Sequence, residues 1–216
     1  LTMRIVKEAD VRKNEILDAA GILFSEKGYD NTSVTDIMNA VGIAKGTLYH
    51  HFKSKEDIMD ALIKRQTDAI FLGAKKIAED KSIPVKERII RTILALHVDR
   101  SQTQGQKMME QLHKPQNTQM HEKTKKIVFM GVPPILADMV AEGVQQGIFE
   151  TSHPLECMEM ALCYLDVMLD DNVLGLTQAQ RQEKIQAFIY HLERLLGVGE
   201  GELAAFEQAF TGRQGE

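Results

Sequence analysis

A candidate phosphate-binding segment runs from Ile43 to Lys55, with the sequence IAKGTLYHHFKSK. It contains three lysines, two histidines and one tyrosine, and it lacks Asp and Glu. Cations and hydrogen-bond donors of this kind bind the anionic phosphate oxygens of nucleic acids. A lone lysine is usually a solvated surface residue, so the elements that surround the segment must decide between the two interpretations.

The sequence before this segment predicts a short helix and a tight turn. Ser33 and Asp36 have the spacing of a capping box, and Gly42 is typical of a residue that ends a helix. A second short helix follows the turn, and two short helices joined by a Gly-containing turn form a helix-turn-helix. Since the second helix of this motif enters the major groove, the pattern predicts sequence-specific binding to double-stranded DNA.

The side chains of the second helix are expected to have distinct roles on DNA. Tyr49, His50 and Lys55 are predicted to bind phosphates, while Lys45 and Thr47 are placed to reach base edges. A glycine within the helix would let the DNA approach closely. The complete set of predicted DNA-contacting residues is Ser33, Thr35, Lys45, Gly46, Thr47, Tyr49, His50 and Lys55.

The motif resembles the DNA-binding segment of the TetR (tetracycline-repressor-like) family of bacterial transcription regulators. The residues that match the family pattern are Thr35, Ile37, Val41, Gly42, Gly46, Leu48, Tyr49, His51, Phe52, Ser54, Lys55 and Glu56. The resemblance covers about residues 12–60. It implies a homodimeric repressor that binds a pseudo-palindromic operator and is released by a small-molecule effector. One departure is Ala44, where the family commonly has a serine or threonine that caps the second helix.

Helical periodicity along the chain predicts an all-α fold. The first helix is predicted from Val11 to Lys27, with Asp10 as its N-cap. The apolar residues expected to form a small core with the next two helices are Ile16, Ala20, Leu23, Phe24, Ile37, Val41, Leu48 and Phe52. Further helices are predicted over about 54–80, 85–101, 107–114, 118–146, 155–174, 178–196 and 202–210.

The charge distribution supports a division into two domains. The net charge of −5 at pH 7 is unusual for a DNA-binding protein as a whole. Residues 43–55 carry a charge of +3, whereas residues 127–180 contain eight acidic residues and no Lys or Arg. A basic DNA-binding module, residues 1–54, joined to a helical effector-binding and dimerisation domain, residues 55–216, explains both observations. The acidic region could bind a cationic effector, but packing against the basic residues of 81–126 is the simpler explanation.

The resemblance also implies an effector pocket and a dimer interface in the larger domain. Eight of the eleven methionines lie between residues 108 and 168, and flexible thioethers either fill cores or line adaptable pockets. The candidate pocket residues are Met108, Met109, His113, Phe129 and Met130. In the resembled family the last two large helices pair with those of a second copy. The corresponding candidate interface residues are Met158, Leu162, Leu165, Phe188, Ile189 and Leu192.

Other chemistry is not predicted by this sequence. No metal-ligand spacing, phosphate loop or nucleophile-base arrangement is apparent, so we expect no catalytic residue, no cofactor and no bound metal. The chain lacks a run of about 18 apolar residues and an apolar signal segment, which predicts a cytoplasmic protein that does not bind membranes. The alternative to an effector-controlled repressor is a TetR-like regulator that responds to a protein partner or to no signal.

Overall fold

The computed structural model describes residues 2–98, 117–168 and 174–211, and these ranges contain helices and no strand. The prediction of an all-α fold is confirmed. The helices are α1 Thr2–Lys27, α2 Val34–Val41, α3 Lys45–His51, α4 Lys55–Glu79, α5 Val85–Val98, α6 Thr118–Gln145, α7 Pro154–Met168, α8 Gln178–Leu196 and α9 Ala204–Thr211.

Most predicted helix boundaries agree with the structure to within a few residues, but the start of α1 does not. The predicted start at Val11 and N-cap at Asp10 are wrong, because α1 begins at Thr2. Residues 2–10 contain no Gly or Pro, so the sequence there offers nothing that would interrupt a helix. The helix predicted over 107–114 lies outside the described residues.

The first of two compact units contains residues 1–69 and 99–127. Its buried core residues are Ile16, Leu17, Ala20, Phe24, Ile37, Leu48, Phe52, Ile58, Met59, Leu62, Ile63 and Met120. Each of the larger side chains stabilises the fold by about 1.5–3 kcal/mol on leaving water. Because α4 and α6 contribute to this core, the structural unit that holds the helix-turn-helix is larger than the predicted module of residues 1–54.

The second unit contains residues 70–98 and 128–216. Its core combines side chains from α5, α6, α7 and α8, and it is completed by Leu203 and Phe206 of the C-terminal segment. By length and composition α6 could span a membrane. Residues such as Leu136 and Val140 of α6 are fully buried in this core, and a long core helix passes the same test.

A buried guanidinium group organises one end of the second unit. Arg88 donates from Nη1 to the carbonyl oxygen of Ala78 at 2.6 Å and from Nε to that of Ile83 at 3.0 Å. It also forms a two-point ion pair with Glu142 of α6. Hydrogen bonds to the Glu142 carboxylate, first from Arg88 and then from Lys81, lower the pKa of this carboxyl to about 2. The pair therefore stays ionised under all ordinary conditions.

Candidate DNA-binding surface

The turn between α2 and α3 is fixed by hydrogen bonds at both ends of α2. Ser33 Oγ accepts from the backbone N–H of Asp36 at 3.1 Å, and the Ser33 N–H donates to Asp36 Oδ2 at 2.8 Å. The predicted capping box is therefore confirmed. At the other end Gly42 adopts φ 72°, a left-handed conformation that favours glycine, and its N–H donates to the Met38 carbonyl oxygen at 2.9 Å. Hydrogen bonds between residues close in the sequence therefore fix both ends of α2, and with them the position at which α3 begins.

α3 is held on the first core by one fully buried side chain, Leu48. Its N-cap, Ala44, makes no side-chain hydrogen bond to the helix, as the sequence predicted. An uncapped helix of this kind forgoes about 1 kcal/mol, so the packing of Leu48 and of Phe52 must hold α3 in place. The opposite face of α3 is therefore exposed to solvent.

Seven of the eight residues predicted to contact DNA are exposed to solvent on α2, its N-cap and α3. We call this set the recognition surface, and its members are Ser33, Thr35, Lys45, Gly46, Thr47, Tyr49 and His50. Tyr49 is 45% exposed, which is unusual for a large aromatic side chain without an external partner. The Lys45 Nζ atom lies 5.8 Å from the centroid of the Tyr49 ring. Cationic, hydroxyl and aromatic groups are thus presented together on one side of α3.

Gly46 is a glycine that the fold itself does not require. A Cβ atom added to Gly46 would meet no atom within 4 Å, and its backbone has no left-handed φ angle. Alanine would therefore fit without a steric conflict inside the chain and would favour the helix more. The missing side chain matters only to a molecule that approaches α3 from outside, as a DNA strand would.

Lys55 makes contacts within the chain that the sequence did not predict. Its Nζ atom donates to the carbonyl oxygen of Tyr29 at 2.8 Å and lies 4.2 Å from the centroid of the Tyr29 ring. The side chain is half-buried and holds the loop before α2 against the start of α4. The Lys55 ammonium thus already donates within the chain, and its predicted phosphate contact stays a prediction. Sequence spacing could not show this, since the two residues are 26 positions apart.

Ion pairs neutralise several charged groups on other parts of the first unit. Arg65 pairs with Asp18 at 2.8 Å, and Lys64 pairs with Asp68 at 2.7 Å. Lys123 of α6 pairs with two carboxylates of α4, at 2.9 Å and 2.8 Å. By contrast, no carboxylate lies within ion-pair distance of Lys45 among the described residues. The positive charge of Lys45 therefore remains available to an anionic partner at the recognition surface.

The predicted effector-pocket residues are not brought together by the described part of the structure. Met108, Met109 and His113 lie outside the described residues. Phe129 is half-buried against the second core, whereas Met130 is 70% exposed and cannot line an enclosed pocket. A methionine at helical spacing carries no information about which side of α6 faces inward, so the sequence did not show that Met130 is exposed.

The structure contains a different cavity, of about 240 Å³, in the second unit. It was missed in the sequence because its walls come from two separate segments, residues 75–81 and 135–142. The lining residues are Lys75, Ala78, Glu79, Lys81, Ile135, Asp138, Met139 and Glu142. Its mouth is wide and most of its lining side chains are charged, so it is a surface depression and not a buried apolar chamber.

The six residues predicted to form a dimer interface belong to the chain's own core. Met158, Leu162, Leu165, Phe188, Ile189 and Leu192 are between 0 and 6% exposed. The same two helices, α7 and α8, carry other apolar side chains that are exposed, namely Leu155, Met160, Val167, Tyr190 and Leu195. We call this second set the apolar face. Helices α7 and α8 therefore carry apolar residues on more than one side, so the apolar pattern alone did not show which side faces inward.

Comparisons with known proteins agree with these observations. A family model described as bacterial regulatory proteins of the tetR family matches residues 16–62, and a tetracyclin repressor-like C-terminal domain model matches residues 97–190. The transcriptional repressor KstR2 of Mycobacterium tuberculosis is 28% identical over 155 residues, which cover 68% of this chain and 73% of KstR2.

Two further relatives are similar over different parts of the chain. The negative transcriptional regulator IcaR of Staphylococcus aureus is 50% identical over 52 residues, or 24% of this chain and 28% of IcaR. The fold resembles that of the fatty acid degradation regulator FadR from Bacillus halodurans, with a TM-score of 0.59 and 18% identity. That match covers 95% of this chain and 97% of FadR. The 50% identity to IcaR is therefore confined to a short stretch, whereas the likeness in fold extends over nearly the whole chain.

Proposed function

Because the chain belongs to the TetR family of bacterial regulatory proteins, and is therefore a DNA-binding transcriptional regulator and not an enzyme, we propose that it is a homodimeric repressor. We further propose that it binds a pseudo-palindromic operator and is released by a small-molecule effector. A regulator of this kind acts in the cytoplasm, where bacterial chromosomal DNA lies. The recognition surface is the observation that carries the proposal, since its polar side chains point away from a core that includes Leu48 and Ile37.

The recognition surface supports the division into base contacts and phosphate contacts that was expected from the sequence, except that Lys55 is left out. Lys45 and Thr47 are exposed near the start of α3, where a recognition helix reads base edges. Tyr49 and His50, on the next turn, bind phosphates. Lys55 has no part in this scheme, because its ammonium group holds the Tyr29 loop.

The apolar face supports the proposed dimer. A two-fold dimer must place two copies of α3 about 34–36 Å apart to enter successive major grooves on one side of the DNA. Helices α7 and α8 expose the five apolar side chains of this face, and Tyr190 also stacks with the guanidinium of Arg194, at 4.8 Å. Aromatic, Met and Arg residues are enriched at protein interfaces, so this face is the better candidate for the dimer contact than the buried residues beneath it.

Effector control follows from the requirement for correct spacing of the two recognition helices. A small molecule that prefers a conformation with another spacing releases the operator, by no more than its difference in affinity for the two conformations. The alternative, a regulator without a small-molecule effector, predicts that no small molecule raises the melting temperature. A ligand that binds only the native state must raise it.

The experiment that tests the proposal is selection of genomic DNA fragments by the purified protein at near-physiological salt. A pseudo-palindromic sequence should be recovered, and its protection footprint should span two half-sites one helical turn apart. The triple substitution Lys45→Ala, Thr47→Ala and Tyr49→Ala, all at exposed positions, should abolish the selection while leaving the melting temperature unchanged. Recovery of the same fragments by wild type and variant would contradict the proposed surface.

A further inference from the structure

Lys13 of α1 lies beside the recognition helix although it is outside the helix-turn-helix. Its Nζ atom is 5.8 Å from the centroid of the Phe52 ring, and Phe52 is the residue that ends α3. An ammonium group at this distance from an aromatic face is weakly attracted to it. Lys13 itself is exposed, and it precedes the segment, residues 16–62, that the family model matches. The fold thus brings a cation from α1 to the C-terminal end of α3.

The electrostatic environment at this end of α3 is positive. The pKa of His51 is lowered, first by its burial and then by the positive charges of His50, Lys13 and Arg12. The rings of His50 and His51 are 5.2 Å apart. The charge of Lys13 is therefore felt at the recognition helix, and it opposes protonation of the histidine there.

Among the described residues, the acids near Lys13 have other partners. Its neighbour Arg12 has its own partner, Glu15, at 2.6 Å. Asp57, at the start of α4, accepts a hydrogen bond from the backbone N–H of Lys53 at 2.9 Å. No carboxylate lies within 4.0 Å of the Lys13 ammonium among the described residues. Like charges held close together without a counter-charge favour the binding of an anion.

We propose that Lys13 binds a backbone phosphate of the operator together with His50, and so extends the DNA-contacting surface from α3 onto α1. The ligand class is the phosphodiester of duplex DNA, recognised by charge and not by base sequence. The proposal rests on the proposed operator binding. It adds a contact that the helix-turn-helix pattern did not predict, from a helix that otherwise supports the core through Ile16 and Leu17.

Salt dependence provides the measurement, because each neutralised phosphate releases counterions. Loss of one such contact lowers the slope of log K against log salt by about 0.9 and weakens binding roughly fivefold at 0.15 M salt. The effect should be the same on operator DNA and on a duplex of unrelated sequence, because phosphates carry no sequence information. Removal of a base-reading side chain would instead weaken operator binding selectively.

The full-length protein should be compared with Lys13→Ala, Lys13→Arg and Lys64→Ala on the selected operator and on an unrelated duplex. Lys64 is an exposed lysine of the same unit, so its removal controls for net charge. We expect the lower slope and weaker binding for Lys13→Ala alone, with Lys13→Arg close to wild type. Since Lys13 is exposed, the melting temperature should not change.

Two results would overturn the phosphate site while leaving operator binding intact. One is an unchanged slope for Lys13→Ala, and the other is an equal loss for Lys64→Ala, which would indicate a diffuse charge effect. If the wild-type protein selected and bound no duplex, that result would contradict both the proposed function and this phosphate site. As an independent check of the geometry, Lys13→Ala should raise the His51 pKa in an NMR titration of the free protein, because a neighbouring positive charge is removed.

Discussion

Asn117 accepts a hydrogen bond from the backbone N–H of Tyr29 on its Oδ1 atom, at 3.1 Å, although the two residues are 88 positions apart. The same carboxamide donates from Nδ2 to the carbonyl oxygen of Phe24 at 3.1 Å. Asn117 is 2% exposed, so both bonds are shielded from water at the carboxamide. A residue just before α6 thereby joins the end of α1 to the loop that leads into Ser33 and α2.

Asn117→Ala should lower the free energy of unfolding by about 1–3 kcal/mol, because the Tyr29 N–H would lose its partner in a partly buried place. Operator affinity should fall too, since this loop sets the start of α2. Asn31→Ala is a matched control, because Asn31 makes an exposed side-chain bond to the Lys27 carbonyl oxygen. Chemical denaturation of both variants measures the effect. Equal stability of the two would mean that the Asn117 bridge does not hold the loop.

Gly46→Ala should affect folding and DNA binding in opposite directions. Alanine in place of glycine stabilises a helix by about 0.5–1 kcal/mol, and an added Cβ meets no atom of the chain. The same methyl group would hinder close approach of DNA to α3, so operator affinity should fall. Gly73→Ala in α4, another open position, should stabilise the protein without changing affinity. Thermal melting and titration with operator DNA distinguish the two effects, and undiminished affinity for Gly46→Ala would refute the close approach.

Lys55→Ala should act on stability more than on the salt dependence of DNA binding. It removes a charged donor at 2.8 Å from the Tyr29 carbonyl oxygen, at a cost of about 1–2 kcal/mol. Because that donor is already bonded to the loop, the slope of log K against log salt should remain near the wild-type value. Lys53→Ala, at an exposed position two residues earlier, should leave stability unchanged. A slope lowered by about 0.9 in Lys55→Ala would restore the original assignment of Lys55 to a phosphate.

The Glu142 carboxyl should make stability depend on acid pH in a defined window. Its pKa in the folded protein is about 2, below the ordinary value of 4.5. The stabilisation is therefore fully present above about pH 4.5 and is lost as the pH falls towards 2. Glu142→Gln should flatten this part of the stability curve and destabilise the protein at neutral pH, since Arg88 stays buried without its counter-charge. Glu26→Gln, at an exposed position of α1, serves as the control in urea titrations at several pH values. An unchanged acid limb in Glu142→Gln would contradict the assignment.

Met160→Lys should dissociate the proposed dimer without unfolding the chain. Met160 is 51% exposed on α7, so a lysine there is tolerated by the monomer but places two charges in an apolar contact. Leu72→Lys, at a position 72% exposed on α4, is the matched control. Sedimentation velocity should show a monomer for the first variant and a dimer for the second. A dimer that survives Met160→Lys would place the interface elsewhere.

The sequence by itself determined the elements whose causes are local. The capping box of Ser33 and Asp36, the left-handed Gly42 and the uncapped Ala44 are set by neighbours within a few positions, so the α2–turn–α3 frame could be read directly. Helical periodicity also predicted the all-α fold and the burial of Ile37 and Leu48. The same local signals carried the resemblance that identified the family.

Only the tertiary structure decided which partner each side chain has across long sequence separations. Lys55 faces Tyr29, Lys13 faces Phe52, and Asn117 bridges Phe24 and the Tyr29 loop. No spacing rule relates these residues, because their proximity depends on how α1, α4 and α6 pack.

The apolar residues of α7 and α8 illustrate the same limit. Met158 and Met160 are two positions apart, yet one is fully buried and the other is half exposed. When a helix has apolar residues on more than one face, its sequence alone does not show which face packs into the core. Packing against the neighbouring helices determines which face becomes core, and the other face stays exposed.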